Sequence, residues 1–121
     1  MSSSILHLDG PATWEACGPE PDRVLDGKPV HRAWNAFSDG TGRFFCGRWS
    51  SSPGKWRVRY TESELCVLTA GRVTIESLAG ERHSFTAGDA FVIPAGFEGA
   101  WTVHEPCEKL YAIFEPGKGA I

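Results

Sequence analysis

The chain has 121 residues, with 12 Lys and Arg against 15 Asp and Glu and a formal net charge of −3. That length predicts one domain, residues 1–121, with a single core; the scattered basic residues leave no footprint for nucleic acid, and no apolar run is long enough to cross a membrane. The opening "MSSSILHLDG" lacks the basic start and apolar centre of a secretory leader, and the 4 cysteines form no C-x-x-C pair, so a cytoplasmic protein with reduced thiols is expected.

In chain order, the first forty or so residues contain "GPEPDRVLDGKP" and "FSDGTG", turn-rich stretches whose prolines disfavour central strands. They predict an irregular lead-in over about residues 1–41 with two short strands, carrying His7 and His31. From Arg43 the strand signals become regular: "RFFCGRWS", "KWRVRY", "LCVLTAGRVTIES", "RHSFTA", "AFVIPA", "AWTVHE" and "KLYAIFE". Such short segments, rich in β-branched and aromatic residues and bounded by Gly and Pro, predict an all-β barrel with its core over about residues 42–114. Within it, "SSSP" at Ser50 to Pro53 reads as a solvated turn. "TAGRV" places Gly71 where positive φ is cheap and predicts a hairpin between Leu65 and Leu78, and "LAGER" makes the next turn.

Two spaced motifs then carry a resemblance. "PGKWRVRYTESELCVLTAG" sets Glu64 seven residues before Gly71, and "GDAFVIPAG" sets Gly88, Pro94 and Gly96 as G-x5-P-x-G. Together they resemble the two motifs of the cupin superfamily. With "GRWSSSPGKWRVRY" and "W-T-V-x-E-x-x-x-K-x-Y", the stretch from Gly47 to Tyr111 is similar to the small single-domain cupins grouped with the ureidoglycine aminohydrolase cupin domain. The resemblance implies a jelly-roll barrel (RmlC-like, a double-stranded β-helix), a small-molecule enzyme and commonly a homodimer. It also implies metal-ligand histidines, and these are missing: the second-motif place is Gly99, and the first-motif places fall among Arg57 to Tyr60. In the ureidoglycine aminohydrolase pattern of Glu, two His and Gln, three of the ligand places are Val58, Tyr60 and Glu64. Only Glu64 is a good ligand, whereas a catalytic metal needs about three. Glu62, Glu64 and Cys66 on one strand point along a line and do not converge. No metal and no other cofactor is therefore expected.

Strand alternation supplies candidates for what replaces the metal. With Glu64 facing inward, Trp56, Tyr60, Glu62 and Cys66 share its side, and Trp101 shares the side of Gly99. On the last segment Lys109, Tyr111 and Ile113 share one face. Glu64, Lys109 and Tyr111 are thus the candidate catalytic residues, and Trp56, Tyr60, Glu62, Cys66 and Trp101 the candidate ligand-binding ones. A buried Lys and Glu must pair or shift their pKa values; the same residues read equally as a structural ion pair with core aromatics. Trp34 and Trp49 read as packing residues of the outer wall, and Leu65 and Val67 as a dimer face. Three functions stay open: an enzyme acting on a small nitrogen-containing or carboxylate metabolite, a non-catalytic module that binds a small-molecule ligand, and a structural dimer with a filled interior.

Overall fold

The computed structural model describes residues 4–116; the ends of the expected domain, residues 1–3 and 117–121, lie outside the described residues. Nine strands run β1 (Glu15–Gly18), β2 (Val24–Gly27), β3 (His31–Ser38), β4 (Phe44–Ser51), β5 (Gly54–Arg59), β6 (Ser63–Ser77), β7 (Arg82–Thr86), β8 (Ala90–Ile93) and β9 (Glu98–Phe114). The described residues contain no α-helix, only a 3-10 turn at Pro21–Arg23. Among the described residues no helix is long and apolar enough to cross a membrane.

All pairings are antiparallel, and two long strands organise them. One edge of β9 carries β4 along Cys107 to Phe114 and β5 along Glu98 to Val103; its other edge carries β6 from Ser77↔Gly99 to Ser63↔Phe114. The far edge of β6 in turn carries β8 on its first half and β7 on its second. Strands β3 and β1 extend the sheet beyond β4, and β2 extends it beyond β5. Pro106 interrupts β9 only in name. It falls between the last β4 pair, Ser51↔Cys107, and the first β5 pair, Gly54↔Val103, and has no registered partner on β6. A residue without an N–H sits where neither ladder needs one.

The all-β class expected from the segment pattern is what forms, but four local expectations change. Strand β6 is continuous through Gly71, so "TAGRV" is a bulged bend and not a hairpin turn. The register slips between Leu68 and Val73, and this flips the inward parity: Glu64, Cys66 and Leu68 are buried before the bend, Val73 and Ile75 after it. Likewise "AWTVHE" and "KLYAIFE" are one strand. Regular pairing also begins earlier than the expected lead-in allowed, because β1, β2 and β3 all lie before residue 42. The serine cluster is not a loose turn either: Ser51 is buried, and Ser52 and Val30 exchange hydrogen bonds, with Ser52 N donating to the Val30 carbonyl and Val30 N to Ser52 Oγ.

The curled sheet encloses a core of Trp56, Cys66, Leu68, Val73, Ile75, Ile93, Trp101, Val103 and Cys107. Its outer surface over β8, β6 and β9 stays apolar, with Leu65 opposite both Val92 and Ala112 and Val67 opposite Leu110. Leu65 and Val92 are exposed there.

Gly71 is the residue on which the bend depends. Its φ is +89°, and a Cβ would collide with the Pro106 carbonyl of β9. Gly80 has the same φ of +89° but open space around it. Gly71→Ala is therefore expected to lower the unfolding free energy by about 3 kcal/mol or more, and Gly80→Ala by about 1 kcal/mol, from backbone strain alone. Urea denaturation of the two variants checks this, and equal losses would show that β9 yields at the bend.

Candidate functional site

Register brings the site together. Lys109 on β9 is the direct neighbour of Trp49 on β4, and Trp101 on β9 is the direct neighbour of Trp56 on β5, so all four side chains rise from the same concave face. His31, at the start of β3, packs edge-on against Trp49 and Trp56 with ring centroids 4.8 and 4.2 Å apart. Glu64 and Cys66 come up from β6 on the opposite side.

At the centre, Lys109 Nζ lies 2.6 Å from Glu64 Oε2, with both side chains almost wholly buried. The ammonium also donates weakly to Cys66 Sγ at 3.6 Å, and the Cys66 thiol donates to Glu64 Oε2 at 3.3 Å. Above it stand two indole faces, Trp49 at 4.6 Å and Trp101 at 4.7 Å from Nζ, placed for cation–π attraction.

Burial alone would lower the pKa of Lys109, but the Glu64 carboxylate, together with Cys66 and Tyr60, outweighs that and leaves it raised. The amine is held charged. Burial pushes Cys66 up to about 12, against the pull of the ammonium, and pushes Tyr111 up to about 12, helped by Glu64. Tyr60 is raised too, again by burial first. Burial and then the Lys109 charge lower His31 to about 4, so its ring is neutral at physiological pH. The cavity thus holds one fixed ion pair among groups that keep their neutral forms near pH 7.

A cavity of about 460 Å³ opens over this floor. Of the eight residues picked from the sequence, seven line it: Glu64, Lys109, Tyr111, Trp56, Tyr60, Glu62 and Trp101. Cys66 does not; it lies beneath the ion pair, completely buried. Tyr111 is turned toward β3, where its hydroxyl donates to Asn35 Oδ1 at 2.7 Å. Glu62 stands at the mouth with Glu20, Arg23, Arg57 and Arg59.

Two lining residues were placed elsewhere by sequence reasoning. Trp49, read as outer wall, faces inward because its register partner is Lys109, and His31, read as lead-in, is a buried strand residue. The pairing register that reveals both is a long-range property. Two buried polar atoms beside the cavity find no hydrogen-bond partner, His31 Nε2 and Trp101 Nε1. The indole N–H does lie close enough to the Tyr60 phenol to favour its ionised form slightly.

The donor set does not fit a metal. Among the described residues no group of three or more His, Cys, Asp or Glu side chains converges. The one carboxylate at the expected place is engaged by an ammonium, and Gly99 has no room for a ligand, since a Cβ there would collide with the Glu76 carbonyl of β6. The positive charge that a metal would bring is supplied by Lys109.

Because neither charge has another strong partner, Lys109→Met and Glu64→Gln should each cost about 3 kcal/mol or more, as each leaves the other charge buried alone. The double variant, a neutral pair of similar shape, should lose at least 2 kcal/mol less than the sum. Chemical denaturation of all four proteins closes this cycle, and additive losses would show that the two groups do not act as a pair.

No curated protein sequence matches the chain significantly. Among solved structures, a protein of unknown function in the DUF861 family from Pseudomonas syringae pv. tomato superposes with a TM-score of 0.77 at 26% identity, over 84% of this chain and 44% of that one. The EutQ protein of Clostridium difficile gives 0.64 at 18% identity, over 71% of this chain and 63% of that one. A putative ethanolamine utilization protein Q from Salmonella typhimurium gives 0.66 at 13%, over 88% and 98%. The last two likenesses are of fold alone. This chain spans under half the length of the first structure and under two-thirds of the second. A family model described as the EutQ-like cupin domain matches residues 39–111. With the curled antiparallel sheet and its central cavity, that match makes this chain a member of the EutQ-like cupin domain family.

Proposed function

We propose that this cupin domain binds a small polar metabolite in its central cavity, as a receptor and not as a proton-transfer catalyst. The observation that carries the reading is the buried Lys109–Glu64 pair lining a 460 Å³ cavity that opens between tryptophan walls. Pockets that hold small molecules combine apolar walls with a few fixed polar groups in this way.

The activity implied by the ureidoglycine aminohydrolase resemblance would ask a cavity residue to exchange a proton near neutrality. Lys109 is held charged by Glu64, Cys66 and Tyr111 are pushed to about 12, and His31 is lowered to about 4. None of these is poised to act as acid or base at pH 7. The pair reads better as a rigid polar floor that a ligand meets ready-made, without rearrangement. The 4 cysteines, all free thiols, support a cytoplasmic setting.

A panel of small carboxylates, amides and amines tests the reading by thermal shift, since a ligand bound only by the folded state raises its melting temperature. At least one compound should do so. Its affinity should fall about tenfold or more in Trp56→Ala and stay unchanged in Leu78→Ala, on the exposed β6–β7 turn. A panel without a hit at millimolar concentration would sink the proposal.

A homodimer belongs to the same proposal. Its interface would be the outer face of Leu65, Val67, Val92 and Leu110, an uncharged, cross-paired apolar surface that a second copy matches by symmetry. Light scattering should give twice the chain mass, and Leu65→Lys should halve it; a monomeric wild-type protein refutes the assembly.

A further inference from the structure

The geometry points to a particular ligand class for this cavity: a small carboxylate with an apolar body, its oxygens accepting hydrogen bonds from Lys109 and Tyr60. The inference rests on the cavity being a ligand site and goes on to say what enters it.

The first argument is the inventory of unfilled donors. An ammonium carries three N–H groups. Glu64 Oε2 takes one at 2.6 Å and the Cys66 sulfur takes a second weakly at 3.6 Å. The third has no acceptor among the described residues, and the nitrogen stands over the Trp49 and Trp101 faces in the lining of the cavity. The Tyr60 hydroxyl donates to no acceptor among them either, and the buried Trp101 indole N–H, a group that can only donate, makes no full hydrogen bond and lies only close to the Tyr60 phenol. By contrast, the Tyr111 hydroxyl is already spent on Asn35. The deep end of the cavity therefore offers protons that only an acceptor oxygen can use.

The second argument is the sign of the local field. Glu64 and Lys109 cancel at a distance, but not close by. At His31 burial and then the Lys109 charge lower the pKa, and at Tyr60, which burial leaves raised, the Lys109 charge pulls downward more strongly than the Glu64 charge pushes upward. An anionic oxygen entering beside these two residues meets net positive potential. Farther out, Arg23, Arg57 and Arg59 line the mouth and can draw in an anion, although Glu20 and Glu62 stand beside them. Because the pair supplies one uncompensated donor and no net charge, a single carboxylate suits the floor better than a dianion.

The third argument is the walls. Trp49, Trp56 and Trp101 form a nearly continuous aromatic surface, with centroids 5.6 to 6.0 Å apart, and Ile113 faces them across the opening. Such walls reward an apolar body behind the carboxylate.

The test uses two matched series as probes: propionate, propionamide and propylamine, and benzoate, benzamide and benzylamine. Members of a series share size and shape and differ in charge and donor pattern. Binding is followed in ¹⁵N-labelled protein through the indole N–H resonances of Trp49, Trp56 and Trp101. At least one carboxylate should bind with a Kd tenfold or more below those of its amide and amine partners, and move the Trp101 signal. Tyr60→Phe should weaken the carboxylate about fivefold and leave the amide unchanged. If an amide or amine binds as tightly as its carboxylate, or Tyr60→Phe has no effect on it, the ligand class is wrong while the cavity reading stands. If none of the six shifts an indole resonance, both fall.

Discussion

An almost wholly buried ammonium ion is the constraint around which this barrel is arranged. Taking Lys109 and Glu64 out of solvent costs several kcal/mol for each ion, and their attraction offsets that only when distance and surroundings are favourable. The surroundings here match the need: a short contact to a single carboxylate oxygen, a polarisable sulfur beneath, and two indole faces above. The partners come from three stretches of chain, Trp49 from β4, Glu64 and Cys66 from β6 and Trp101 from the first half of β9, while Lys109 itself stands in the second half of β9. The ion pair is thus stable only if the whole curled sheet closes, and the sheet can close over a lysine only if all of these partners arrive.

The same arrangement explains the missing histidines. In the cupin pattern that the two motifs resemble, a cation sits among ligands from the first and second motifs. Here the cation is covalently part of β9, and the place of the second-motif histidine is a glycine pressed against the β6 backbone. A tethered ammonium cannot be exchanged, oxidised or replaced by another metal. Its pKa is held up by the carboxylate beside it, so it does not shuttle protons either. What remains is a permanent charge at a fixed depth, which suits the binding role proposed above.

How much of this could be read from the sequence follows the range of the information. Strand alternation within one segment is local, and it placed Glu64, Tyr60 and Trp101 on inward faces and set Lys109 and Tyr111 together on one face without deciding which way that face turns. Glycine and proline at motif spacing are local too, and they carried the fold. Trp49 and His31 were out of reach because their orientation follows from pairing with distant stretches of chain, Trp49 with Lys109 on β9 and His31 with Ser51 on β4. The bend at Gly71 misled for a related reason. A glycine with positive φ between β-branched runs serves a hairpin and a bulge equally well, and only the second long strand lying against it decides.

The nested pairing of β6 with β9 also has a kinetic side. Their ladder is closed at Ser77↔Gly99 and open at Ser63↔Phe114, so its partners grow farther apart in sequence from one end to the other. Loop-closure entropy favours zipping from the near end. Along that route the apolar half, with Ile75, Trp101 and Val73, condenses first. Glu64 and Lys109 meet only when the far half closes over them. The charged centre of the molecule is then the last part of its interior to dry, and a chain halted on the way would keep that pair in water.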